Sequence, residues 1–318
     1  SASAPLAALD RCAHSLGLRV GHSLAEALLL VSSLEVRVLP RPRLRSLLGS
    51  LSEILLSYGP AIGFQLPDTL WVEVTGCAHL FGGEAELVAA VRQRFAELGH
   101  RVRYAVAPGP RLAQALARWD DSKAPLLAIS AGEEARCAMA RLPLQALPLS
   151  EEQRTWLVRL GVVTVGQLRQ LPRGELLERL GAQAVEILSL AEGQDTTLLP
   201  QFVPAVELQE EAAWEEPCSA TESLLFALRG LVARLASRMQ ARGLVAHRLE
   251  LTLQLDPSVA RLRGVPEVQQ WVCHLPFPLR LEEELLGVLR AKLEAEKLPA
   301  PCRGLCLKLT EQGQWQPA

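Results

Sequence analysis

The chain has 318 residues, 49% apolar and only 4% aromatic, with 33 basic against 35 acidic side chains and a net charge of −2. That length suits two or three domains of about 100 residues, three being the expectation, and so much apolar sequence excludes a disordered chain. Charge of this size and even spread argues against a strongly DNA-binding surface, because grip on a phosphate backbone comes from Lys and Arg releasing counterions.

The N-terminal residues 1–10 lack the basic-then-apolar order of a secretory signal. The most apolar run, 24–34, is short and contains Glu26, too little for a membrane span. Residues 10–60 read as helices interrupted by Gly17, Gly21, Pro40, Pro42 and Gly59, and look like an incomplete domain. Within them Arg37, Arg41, Arg43 and Arg45 form the densest basic cluster, a candidate contact for DNA or a partner.

Between 61 and 130 the pattern predicts strand, helix, strand, helix, strand. Leu70, Val72 and Val74 alternate with Trp71 and Glu73 as in a strand apolar on one face. An amphipathic helix is expected over 84–98, a second alternating strand over 101–107, a helix opened by Pro110 and ending at Trp119, and a short apolar strand over 126–129. From 150 to 195 the chain reads as helices with short joints. The stretch 160–168 suits a tight hairpin between two helices, with Thr164 capping the second.

Pro200 and Pro204 mark a linker. Beyond it the pattern predicts strand 206–214, helix 219–242 stopped at Gly243, strands 248–255 and 270–277, helix 281–296 and strand 303–309. That βαββαβ order is a split βαβ arrangement of the ferredoxin-like kind. The fold class expected is α+β.

The segment Leu-Trp-Val-Glu-Val-Thr-Gly-Cys-Ala-His-Leu-Phe-Gly-Gly-Glu at 70–84 resembles the palm of the Y-family translesion DNA polymerases, in particular the catalytically degenerate ImuB-like branch. Leu18 to Glu26 is similar to the fingers segment, the 160–168 hairpin to the thumb, and the βαββαβ unit to the little finger. The resemblance therefore implies a fingers-like helical segment over 1–60, with no evident first palm strand, a palm over 61–140, a helix-hairpin-helix thumb over 141–199 and a little finger over 200–318.

Active members of the family hold their metals with an Asp-Glu pair ahead of this segment and an Asp from the first palm strand. Here Asp68 is kept and Thr69 replaces the Glu. A two-metal site needs carboxylates clustered around ions about 4 Å apart, and a neutral hydroxyl supplies no such charge. Glu73 lies five residues from Asp68, roughly 17 Å along a strand and on its other face, so it is no substitute.

Other family positions depart too. Gly109-Pro110 stands for an Asn-Lys, Gln114 for a second Lys, and Leu149-Ser150-Glu151 for a phosphate-binding Gly-x-Gly. Lys123 matches a triphosphate-contacting Lys and equally suits a solvated loop. The Gly161 to Gly166 hairpin, with Thr164, is either a phosphate-contacting turn or a plain helix joint.

Arg234, Arg238 and Arg242 recur every four residues, a solvated stripe or a DNA groove. Cys77 and His79 are too few for a metal site, leaving Cys77 to the core. Cys302 and Cys306 sit at even spacing and are expected to face the same side. Seven scattered cysteines without paired spacing point to a reducing, cytoplasmic compartment.

The resemblance implies a non-catalytic adaptor of a damage-induced mutagenesis complex, without metal or cofactor. Its partners would be a sliding clamp, a RecA-like ImuA protein and a separate error-prone replicative-type polymerase. No clamp-binding peptide is evident before the chain ends at Ala318. The alternatives are a working translesion polymerase with an unusual palm and a weak primer-template DNA-binding module.

Overall fold

The structure, a computed structural model, describes residues 3–7, 9, 11–38, 40–120 and 129–315. It divides into two compact units, Ser1–Leu44 and Arg45–Ala318. In the first, α1 (Arg11–Ser15) and α2 (Leu24–Leu30) gather Ala13, Leu18 and Ala27 into a small core. Ser23 opens α2 through a reciprocal capping box, its hydroxyl accepting from the Glu26 N–H while Glu26 accepts from the Ser23 N–H. Helix α3 (Arg41–Ile54) starts here and ends in the second unit.

The second unit begins with an antiparallel hairpin, β1 (Ile62–Gln65) and β2 (Thr69–Val72), in the register Ile62 opposite Val72 and Gln65 opposite Thr69. Sequence pattern did not reveal β1. Strand β2 is covered on both faces rather than apolar on one: Trp71 is buried with its indole N–H on the Pro110 carbonyl, while Leu70 and Val72 pack with Ile54 and Phe95. The helices α4 (Glu84–Glu97) and α5 (Pro110–Trp119) fall where the periodicity and Pro110 put them.

The strand expected over 101–107 is extended backbone without a ladder. A strand needs a neighbour to bond, and β2 has taken β1. The Ile129 N–H bonds to the Val106 carbonyl at 2.9 Å and the Gly109 N–H to the Ala107 carbonyl at 2.8 Å. Most of the expected 126–129 strand lies outside the described residues.

Helices α6 (Glu133–Ala140), α7 (Glu151–Arg159), α8 (Val165–Leu168), α9 (Arg173–Leu180) and α10 (Ala184–Ala191) bury one shared leucine-rich core with α5. Gly166 lies against α6 so closely that a Cβ there would stand 2.8 Å from the Ala140 carbonyl oxygen.

The C-terminal part runs β3 (Gln209–Cys218), α11 (Thr221–Ala241), β4 (Leu244–Leu255), α12 (Pro257–Leu262), β5 (Val268–Leu279), α13 (Glu282–Ala295) and β6 (Cys302–Gln314). Gly243, at φ 64°, ends α11 in the left-handed region that favours glycine. The sheet order is β3-β6-β4-β5, antiparallel throughout, so the α11 and α13 connections each skip one strand, as a split βαβ requires, while α12 joins the neighbours β4 and β5. Leu249, Leu251 and Leu253 of β4 turn onto α11 and α13, making the largest core.

Helix α12 was not expected, although Asp256 caps it from two N–H groups and Pro257 opens it. Nor do Cys302 and Cys306 share a face. A bulge sets Cys302 opposite Leu255 but Gly304 opposite Gln254, which reverses the alternation. Cys302 is therefore in the core and Cys306 lies half-buried on the open face beside Thr252. Among the described residues no helix is long and apolar enough to cross a membrane.

Candidate functional site

Asp68 sits in the turn of the β1–β2 hairpin, and the register brings Gln65 opposite Thr69 just behind it. Helix α5 crosses with Gln114 and, one turn on, Arg118. The Arg118 guanidinium forms an ion pair with the Asp68 carboxylate and also donates to the Thr69 hydroxyl oxygen at 3.2 Å. That hydroxyl donates to Asp68 Oδ1 at 3.1 Å and accepts from the Gln114 amide at 3.0 Å, which also reaches Gln65 Oε1 at 3.3 Å. One carboxylate, one guanidinium, a hydroxyl and two amides thus form a closed group of zero net charge.

This is a poor donor set for a divalent cation. Hard cations are held by several anionic or carbonyl oxygens, and here the one carboxylate is paired with the Arg118 guanidinium while its neighbour Thr69 brings no charge. Glu73, past the other end of β2, is occupied separately. The Thr75 hydroxyl and the Thr75 N–H donate to its carboxylate and hold it below the usual carboxylate range. Both ends of β2 open on a cleft of about 960 Å³, bordered across by 101–110 and rimmed by Arg92, Arg101, Arg103 and Arg118. Among the described residues no three His, Cys, Asp or Glu side chains converge as a metal site. His79 is exposed and Cys77 half-buried, not in the core as expected, because both lie in the turn after β2.

The N-terminus of α5, at Gly109-Pro110, could in principle hold an anion on its free N–H groups. It is filled from within. Asp195 Oδ2 accepts from the N–H groups of Arg111 (2.7 Å) and Leu112 (3.1 Å), and its Oδ1 accepts from Thr197 (3.0 Å). A Cβ on Gly109 would lie 2.5 Å from that carboxylate. Sequence reading passed over Asp195, since nothing local to 190–200 connects it to a helix some 80 residues earlier.

The 160–168 hairpin is likewise self-satisfied. The Gly161 and Val162 N–H groups bond back to Val158 and Leu157 carbonyls, those of Val163 and Thr164 to Gln167 Oε1, and that of Val165 to the Leu142 carbonyl. The Thr164 hydroxyl accepts from the Gln167 N–H, closing the expected cap. Ser150 caps α7 in the same reciprocal way with Gln153.

Arg37, Arg41 and Arg43 are exposed on the first unit. In the second, Arg45 lies over the Phe64 ring, 5.6 Å from its centre. Lys123 lies outside the described residues. On the open face of the C-terminal sheet Arg248 pairs with Glu311 and Lys308 with Glu207, while Glu211 and Glu250 share that face. Arg234, Arg238 and Arg242 form neither a solvated stripe nor a groove: they are ion-paired to Glu210 and Glu53, Arg238 almost wholly buried.

Residues 207–316 match the family model for the impB/mucB/samB family C-terminal domain. Of solved structures, a Y-family DNA polymerase chimera of Dbh and Dpo4 superposes with a TM-score of 0.52 at 17% identity, covering 97% of this chain and 87% of its own. DinB of Sulfolobus solfataricus gives 0.50 at 16% identity, covering 96% and 86%. The fold is that of the Y-family DNA polymerases.

Among curated proteins, Protein ImuB of Caulobacter vibrioides (strain NA1000 / CB15N) is 35% identical over 236 residues, 74% of this chain and 51% of its own length. DNA polymerase IV of Dehalococcoides mccartyi (strain CBDB1) is 27% identical over 203 residues, 63% of this chain and 52% of its own. The chain spans about half the length of these relatives. It is an ImuB-like homologue of the Y-family polymerases.

Proposed function

We propose that this protein uses the Y-family fold without its chemistry, as a non-catalytic adaptor in a bacterial damage-induced mutagenesis complex for translesion synthesis. It would link a sliding clamp, a RecA-like ImuA partner and the error-prone replicative-type polymerase that performs synthesis. The observation that carries the reading is the group around Thr69: Asp68 is neutralised by Arg118, and Gln114 and Thr69 complete a shell with no second carboxylate. Two further features support it. The Asp195 carboxylate occupies the α5 N-terminus, and the hairpin N–H groups from Gly161 to Val165 are spent within the protein. Phosphate contact by Gly161, Thr164 or Gly166 would therefore be slight, and the cations available for weak primer-template binding are the exposed Arg37, Arg41, Arg43 and Arg45 with Lys123.

Primer extension with Mg²⁺ or Mn²⁺ tests this directly. The expected result is no template-dependent extension by the full-length protein, together with its co-purification with clamp and the RecA-like partner. Extension abolished by Asp68→Ala would overturn the reading in favour of an active polymerase, the second reading, which the similarity to DNA polymerase IV and the retained Asp68 favour.

A further inference from the structure

Helix α11 carries Arg234, Arg238 and Arg242 on one stripe, and all three enter a single ion cluster. Arg238 donates through Nε and Nη2 to the two oxygens of Glu53, at 2.7 and 2.9 Å, and through Nη1 to Glu210 Oε1 at 2.6 Å and the Gln209 carbonyl at 2.8 Å. Arg242 adds a bond to Glu53 Oε2 at 2.6 Å and Arg234 one to Glu210 Oε2 at 2.8 Å. Every carboxylate oxygen is used, and the side chains of Glu53, Glu210 and Arg238 are no more than 4% exposed. The cluster joins the end of α3 to the start of β3 and the C-terminal turns and cap of α11, more than 150 residues on in the chain.

The segment joining them is held at two further places. The Phe202 N–H bonds to the Ile62 carbonyl at 2.8 Å, its ring meets Phe64 edge-on, and it fills the space left by Gly49. Gly63 admits the Pro200 carbonyl, where a Cβ would stand 1.9 Å from it. Arg242 then takes the Ala205 and Val206 carbonyls at 2.7 and 3.4 Å. The Arg94 guanidinium also donates to the Ser237 hydroxyl, tying α4 to α11.

We infer that residues 199–210 and the Arg238 cluster are a latch, fixing the C-terminal sheet domain on the β1–β2 hairpin and α3 so that these parts move as one body. A loose tether would leave its backbone groups to water and its charges solvated. Here the Phe202 N–H is instead claimed by β1, the Ala205 and Val206 carbonyls by Arg242, and the Leu208 carbonyl by the Leu309 N–H of β6. Buried ion clusters add little net stability over apolar packing but demand one geometry, which is what a fixed docking requires.

Hydrogen exchange read by mass spectrometry on the full-length protein tests the latch. In the wild type, peptides spanning 199–207 should show the Phe202 amide, bonded to the Ile62 carbonyl, protected well above unstructured peptide. Glu53→Gln, which alters the bonds to Arg238 and Arg242, should speed exchange of the Phe202 amide at least tenfold while the β4–β6 ladder keeps its protection. Should Glu53→Gln unfold the ladder as well, Arg242→Met supplies the same comparison. Wild-type exchange of the Phe202 amide as fast as free peptide, or a rate unchanged in the folded variant, would overturn the inference.

Discussion

Replacing Arg238 with alanine removes four charge-assisted hydrogen bonds and leaves two carboxylates, Glu53 and Glu210, at 2% and 4% exposure. Burial pulls the Arg238 pKa down, but the hydrogen bonds and charges of Glu53 and Glu210 outweigh it and hold the group above its ordinary value, so the side chain is a full cation. Breaking a buried pair from one side costs about 3–5 kcal/mol, because the partner charge stays desolvated. Arg242 and Arg234 still reach one oxygen of each carboxylate, which puts the expected loss near the lower end. The same change at Arg118, whose pair with Asp68 is 41% and 60% exposed, should cost about 0–1 kcal/mol, since water screens it. Urea titration of both variants against wild type reads the difference as a midpoint shift at constant slope. An Arg238→Ala variant no less stable than Arg118→Ala would refute the electrostatic account of the cluster.

Gly166→Ala forces a Cβ to 2.8 Å from the Ala140 carbonyl oxygen, so α6 and α8 must separate; thermal unfolding should show a loss of about 1–3 kcal/mol. Asp195→Ala uncaps α5 and should cost about 0.5–2 kcal/mol by denaturant titration, with Asp195→Asn retaining part of the cap. Burial, with Arg234 nearby, holds the His100 pKa below its ordinary 6.5, so the unfolded chain takes the proton first. The His100 contribution to stability is thus complete above pH 6.5 and lost as pH falls below it, a decline that His100→Gln should lessen in titrations spanning that value.

Much of the fold was legible because its signals are local. Pro110 at the head of α5, Thr164 at the cap of α8 and Gly243 at the stop of α11 each act through a backbone preference that the residue carries anywhere. The start of α12 is equally local, Asp256 capping it and Pro257 standing at its first position. Strand β1 was less readable: Ile62 to Gln65 is short and contains Gly63, whose value lies in admitting the Pro200 carbonyl.

The Thr69 site divides the same way. That the hydroxyl of Thr69 stands beside Asp68 is in the letters, and so are Gly109-Pro110 and Gln114. What the Asp68 carboxylate does is not, because Arg118 reaches it across 50 residues of chain. Arg238, four residues from Arg234 and Arg242, reads as one more cation on a helix until α3 and β3 bring Glu53 and Glu210 against it. Cys302 and Cys306 share a face by count and lose it to one bulged residue. Sequence alone placed helices such as α4, α5 and α11 and set Thr69 beside Asp68, since those depend on side chains and their immediate neighbours. Which charges are buried, which N–H groups are taken and which faces two residues share depended on contacts between distant segments, and only the tertiary structure decided them.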